Sequence, residues 1–266
     1  GLLGKLFNFD GGKGLTRHMR ERVENRRETF VMKRGDFLRP DSKQGVVLPG
    51  TPRLFPPLRD EIQLHDRLDL VDWLFSGKHP TTARVAVNKV WMRLFGQPLV
   101  DTVQDFGSRG AQPTHPELLD WMSAWWQSEA QWSLKRLIKW IVMSDTYQQS
   151  SAHRPELKRV DPDNRFLARQ NRFRVEAEII RDISLQTAGL LNLHLGGPAV
   201  FPPIPDAVLN QSFTKYGGNS KGRDRYRRGI YTFFRRTAID PNMMVFDCPD
   251  ASASKAMRDR SNNALQ

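Results

Sequence analysis

Two helix patterns flank an irregular polar loop between His79 and Trp126, and a fold for this chain must join them across a short distance. From Thr81 the apolar residues Val85, Val87, Val90, Trp91, Leu94 and Phe95 recur at helical spacing. Thr81 or Thr82 can cap the start, and Gly96 can end the helix in a left-handed conformation. Thr114-His115-Pro116-Glu117 has the pattern of a capping box. Thr114 would accept from the third amide, Glu117 would reach back, and Pro116 suits the first turn. Leu118, Leu119, Met122, Trp125 and Trp126 form the expected buried stripe.

The loop between these helices carries Asp101, Asp105, Gly107, Arg109 and Gly110. From Leu94 to Ala130 five acidic residues face Arg109 alone, a local net charge of −4 in a chain of +12. Such a loop can bind an anion where it enters a helix, or can position Asp105 and His115 for acid–base work. The plainer expectation is that Asp101 and Asp105 are turn and cap residues and His115 is solvated. Asp105-Phe106-Gly107 matches the magnesium-binding tripeptide of protein kinases. The chain lacks the glycine-rich and His-Arg-Asp loops which that chemistry needs.

The chain of 266 residues has room for one large domain or two small ones. An excess of 41 Lys and Arg over 29 Asp and Glu favours polyanionic partners: nucleic acid, an anionic surface or an acidic polysaccharide. Cys248 is the single cysteine, so no disulfide framework, cysteine zinc cluster or C-x-x-C-H haem attachment can form inside the chain. The six histidines show no H-E-x-x-H or i, i+4 pairing, and no metal site is expected. No apolar run reaches the roughly 18 residues of a membrane span. Because the chain begins with Gly1 and ends on Gln266, it reads as a fragment.

Two basic stretches account for almost all the net charge. Lys13 to Arg39 is +5, with a basic surface helix expected over Leu15 to Glu28 after a frayed glycine-rich lead-in. Thr29 to Lys33 is strand-like and leads into Arg34-Gly35-Asp36, read as a turn. Five prolines between Pro40 and Pro57 predict an extended connector and a soft boundary. The second stretch, Lys221 to Arg236, is +6 and interleaves Tyr226, Tyr231, Phe233 and Phe234. Basic side chains with ring faces suit single-stranded nucleic acid or a sugar polymer. Alternatively Ile230 to Phe234 is a buried strand whose arginines pair with the acidic loop.

Further helices are expected over Gln63 to Phe75, Ser133 to Tyr147, Arg174 to Gly189 and briefly Asp240 to Asp247. In the helix from Arg174, Val175, Ile179 and Ile183 are expected inside and Glu176, Glu178, Arg181 and Asp182 on the wet face. The proline-rich loop Gly196 to Pro205 is expected to cover another element like a strap.

Several ordered stretches carry a family resemblance. They include TFVMKRGDFLRP, RLDLVDWLFSGKHPTTARVAVNKVWMRLFGQPLVDTVQDFG, PTHPELLDW, WSLKRLIKWIVMSDTYQQSS, DPDNRFLARQ, DRYRRGIYTFFRRT and RSNNALQ. Together, from about Thr29 to Gln266, they resemble the planctomycete cytochrome-c-associated domain of unknown function. The resemblance implies a C-terminal module of a large exported, extracytoplasmic bacterial protein, following another uncharacterised domain and often a c-type cytochrome-like region. It implies a truncated C-terminus here, and any haem would belong to a missing upstream region, with no cofactor in this chain. The family's recurring polar positions fall on Asp105, His115, Arg225, Arg228, Arg235, Arg236 and Asp247. A Thr-Pro common in the family is Asn263-Ala264 here, so the family's local turn is not implied at that position.

These readings predict a mostly α protein: a helical bundle with a few short strands and long proline-rich loops. Residues 1–57 form the end of an upstream domain and 58–266 a helical domain. The leading function is an accessory or substrate-handling module that binds or processes polyanionic glycans, with Arg109, Arg225, Arg228, Arg235, Arg236, Tyr231 and Phe234 as binding residues. The alternatives are a nucleic-acid binder using 221–236, and an enzyme with its site around Asp105 and His115.

Overall fold

The computed structural model describes residues 20–22, 24–58, 66–205, 218–234, 239–250, 252, 254–262 and 264. The surface helix expected over Leu15 to Glu28 is not formed at its described residues between 20 and 28, which are bends and irregular chain; its start, the start of the helix expected at Gln63, and Arg235 and Arg236 lie outside the described residues. Among the described residues the protein is mostly helical, and isolated β-bridges take the place of a sheet. The helices are α1 (Arg67–Phe75), α2 (Thr82–Phe95), α3 (Pro116–Ser128), α4 (Leu134–Val142), α5 (Asp145–Gln148), α6 (Ala177–Thr187) and α7 (Pro241–Val245). The chain forms two compact units, Gly1–Thr82 and Ala83–Gln266.

In the first unit the strand-like segment at Thr29 is only a bridge, Met32 to Pro40. Between them Arg34 (φ 53°) and Gly35 (φ 76°) turn the chain, and Asp36 Oδ1 accepts from the Leu38 N–H at 3.0 Å. α1 has a complete capping box: Asp66 accepts from the Leu68 and Asp69 amides, while Asp69 accepts from Asp66 N–H at 2.8 Å. Phe55, Trp73 and His79 pack ring against ring, with His79 to Trp73 centroids 4.3 Å apart. His79 is buried, and its Nδ1 accepts from the Thr82 N–H at 3.2 Å. His79 thus bonds the first amide of the helix whose start Thr81 or Thr82 was expected to cap.

The second unit is built on one core. Ala83, Val87, Trp91 and Phe95 of α2 meet Leu119, Met122 and Trp126 of α3 and Leu137 and Ile141 of α4. Each large side chain buried here contributes about 1.5–3 kcal/mol relative to leaving it in water. Asn88, fully buried in the middle of α2, joins the loop to this core. Its Oδ1 accepts from the Leu99 and Val100 amides at 2.8 and 2.9 Å, and its Nδ2 donates to the Val100 carbonyl at 3.1 Å.

Three local expectations are corrected. The capping box of α3 does not form: His115 is the N-cap, and no side chain caps it. Thr114 faces the loop instead, where its N–H donates to the Leu99 carbonyl at 2.8 Å and its hydroxyl to the same oxygen at 3.4 Å. The helix expected over Ser133 to Tyr147 is two helices. Ser144 interrupts it, because its hydroxyl donates back to the Ile141 carbonyl at 2.7 Å and accepts from the Tyr147 amide at 3.3 Å. The strand expected at Ile230 is a 3-10 turn over Gly229–Tyr231, followed by a single bridge from Thr232 to Val200.

That bridge holds the proline-rich loop, which lies along 226–233 as a strap. Val200 N–H donates to the Tyr231 carbonyl at 2.8 Å, and Phe233 N–H returns a bond to Val200 at 2.7 Å. Phe201 stacks on Phe233 with centroids 4.6 Å apart.

Candidate charged cavity

α6 is turned opposite to the expectation from its apolar residues. Ile179 and Ile183 are exposed, whereas the charged face meets the chain's C-terminal third. Charged side chains can face inward when each finds a partner, and these do. Asp182 accepts from Arg228 Nε at 3.0 Å and from the Gly229 amide at 2.6 Å. Arg181 donates to the Arg225 carbonyl at 2.7 Å. Gly229 is required by this approach, since a Cβ there would stand 2.5 Å from the Glu178 carbonyl oxygen.

At the start of α6 these pairs open into a cavity of about 330 Å³. Three stretches line it: Met92, Arg93 and Gly96 from the end of α2, Arg174 to Glu176 ahead of α6, and Phe246, Asp247 and Met257 to Arg260 near the C-terminus. Gly96 sits at φ 78°, and a Cβ there would strike the Phe173 ring at 2.6 Å. A left-handed glycine thus both ends α2 and lets the second stretch close against it.

Four arginines line the cavity. Arg93 pairs with Glu176, and Arg174 with Asp247. Arg258 makes two parallel bonds to Glu178, Nη1 to Oε2 at 2.6 Å and Nη2 to Oε1 at 2.9 Å, and lies 3.5 Å from Glu176. Arg260 differs. It donates to the Gly96 carbonyl at 3.2 Å and lies 5.4 Å from the centre of the Phe173 ring. Among the described residues no carboxylate pairs with it.

The electrostatics follow from these pairings. Burial pushes the Glu178 carboxyl up, but the Arg258 hydrogen bonds, a backbone N–H and the charges of Arg258 and Arg93 together hold it below its ordinary range. Asp247, at the left-handed φ of 59°, is lowered by the Ser261 N–H and hydroxyl and by Arg174. Burial lowers the Arg93 guanidinium, and the nearby positive charges of Arg258 and Arg260 lower it further, against Glu178. Cys248 is pushed up, first by burial. Arg93, Arg174 and Arg258 thus each face a carboxylate, and Arg260 is the cavity's cation without one among the described residues.

Of the candidate site residues singled out from the sequence, those described fall elsewhere, apart from Asp247. Asp105 is exposed and closes its own turn, accepting from the Gly107 amide at 2.8 Å. His115 Nδ1 lies 2.9 Å from the Thr114 hydroxyl, and Arg109 is exposed on the loop. A second cavity of about 200 Å³ beside that loop is lined by Asp101, Thr114, Asp163 and Arg165, among others. In the basic stretch, Arg228 is taken by Asp182 on α6, and not by the acidic loop. Arg227 is buried and donates to the Pro198 carbonyl at 2.9 Å, the His194 carbonyl at 3.3 Å and the Gly196 carbonyl. Its guanidinium also lies 3.8 Å from the centre of the Tyr231 ring, whose hydroxyl accepts from Gly196 N–H at 2.8 Å. Arg225 is half-buried near Tyr226, and Phe234 is partly exposed.

Arg93, Arg174, Arg258 and Arg260 were not legible as a group, because they come from three separate stretches of the chain. The one usable signal was the acidic start of α6, Glu176 and Glu178, which needs cations from elsewhere once it is buried. Among the described residues no group of three His, Cys, Asp or Glu side chains is placed to hold a metal ion, and no helix is long and apolar enough to cross a membrane.

Compared with known proteins, residues 66–266 match the family PSD1, described as a protein of unknown function (DUF1553). No curated protein and no solved structure matches the chain.

Proposed function

Since the chain belongs to DUF1553, a family of unknown function, we propose a reading drawn from the cavity: a substrate-handling module that grips an acidic polysaccharide by one oxyanion. Arg260 carries this reading. A guanidinium that lines a cavity, with a carbonyl and a ring as its partners, keeps in-plane N–H donors for a carboxylate or sulfate. Arg93 lines the same cavity, its charge disfavoured first by burial and then by Arg258 and Arg260, and an incoming anion would offset both. A space of about 330 Å³ suits one acidic sugar unit better than a whole chain. The net charge of +12 would draw a polyanion to the surface before the cavity selects it.

In this reading the module works outside the cytoplasm, as an accessory part of an exported protein with a cytochrome-like region upstream. Nucleic acid is the weaker reading because Arg227, Arg228 and Tyr231 of the basic stretch already serve the fold.

Calorimetric titration with galacturonate, and with glucose as the neutral control, tests the reading. Saturable binding of galacturonate alone, weakened at least tenfold by Arg260→Ala, is the expected result. No binding, or the same affinity in the variant, overturns it.

A further inference from the structure

The sides of α3 and α4 away from the core carry a wall of tryptophans. Trp121 and Trp125 lie one turn apart on α3 with rings 13° from parallel and centroids 6.2 Å apart. Trp140 of α4 joins them, 4.9 Å from Trp121 and 5.9 Å from Trp125. Trp125 is anchored on the core, whereas Trp121 is 48% and Trp140 37% exposed. Beside them lies a shallow, open depression of about 570 Å³, bounded by Trp125, Trp140, Met143, Arg136 and Lys139.

We infer that this wall is a carbohydrate-binding platform, on which pyranose rings of an acidic glycan stack while Lys139 and Arg136 meet its carboxylates or sulfates. The inference rests on the acidic-glycan reading above for the nature of its ligand, and uses none of the cavity's residues. Two observations favour this occupant. An indole face is electron-rich and attracts the polarised C–H bonds on the flat side of a sugar ring, and indoles already packed against one another lose little freedom on binding. Lys139 is exposed, and Arg136 spends one Nη on the Glu129 carbonyl at 2.6 Å, leaving donors for an anion.

Affinity electrophoresis of the full chain through polygalacturonate, and through the same polymer fully methyl-esterified, tests the platform. The wild type should be retarded in both gels and more strongly in the acidic one. Trp121→Ala and Trp140→Ala should each reduce the retardation at least fivefold in both, with unchanged circular dichroism. Lys139→Ala should reduce it in the acidic gel alone. Absence of retardation in the wild type, or tryptophan variants that migrate like it, would overturn the inference. So would loss in those variants of binding to phosphatidylglycerol vesicles, or of a dimer, with glycan retardation intact. Failure of the cavity reading shows separately, as galacturonate binding that Arg260→Ala does not change.

Discussion

Arg258 and Glu178 stand 80 positions apart and meet through two parallel hydrogen bonds, which bind the C-terminal segment to the first turn of α6. Both are partly exposed, so solvent screens the pair, and its coupling should be about 1 kcal/mol. A double-mutant cycle with Arg258→Ala and Glu178→Ala, read by urea unfolding, checks this. Additive single effects would show that the pair carries no coupling.

The same cluster makes stability depend on acid. The carboxyls of Glu178 and Asp247 are held below their ordinary values of 4.5 and 3.8. A depressed carboxyl stabilises the fold above its unfolded value and loses that contribution as pH falls through its folded value. The C-terminal segment should therefore loosen only below about pH 4.5, as these two carboxyls take up protons. Limited proteolysis across pH 3 to 6 with an acid-active protease reads the transition, and release near neutral pH would contradict it.

His79 titrates in a different window. Burial holds its imidazole below the ordinary 6.5, and Nδ1 must keep a lone pair to accept from Thr82. A histidine of lowered pKa destabilises the fold on protonation, so stability is full above about 6.5 and declines as pH falls through the folded value. His79→Gln should flatten the pH dependence of the melting temperature between pH 7 and 5. A wild-type profile already flat across that range would contradict this.

Asn88 is the buried link between α2 and the loop at Leu99. Asn88→Ala removes three hydrogen bonds and leaves backbone groups of residues 99 and 100 without their partner, at a cost of about 2–3 kcal/mol. Chemical denaturation measures it. A loss under half a kcal/mol would mean that water replaces the amide.

Arg227 separates folding from binding in the basic stretch. Arg227→Lys cannot reproduce a guanidinium that reaches three carbonyls, and it should lower stability by about 2 kcal/mol with galacturonate affinity unchanged. A stable variant with weakened galacturonate binding would move the ligand site to this stretch.

The helices were legible where apolar periodicity coincides with the core, as in α2 and α3, and the strap at Gly196 to Pro205 was legible from its prolines. The orientation of α6 was not. Local patterning assigns Ile179 and Ile183 to the inside, but the partners that draw Glu178 and Asp182 inward lie at Arg258 and Arg228, far along the chain. Asn88 was hidden for a related reason, because a polar residue between apolar turns looks like surface until a loop closes over it. The cavity combines both difficulties: no short stretch contains more than two of its four arginines.

The most direct test of the anion site is a crystal structure of the chain with galacturonate. The carboxylate should lie within hydrogen-bond distance of Arg260 and beside Arg93, in the cavity between the end of α2 and the C-terminal segment. A ligand bound along 221–236, or an empty cavity at saturating galacturonate, would contradict the assignment.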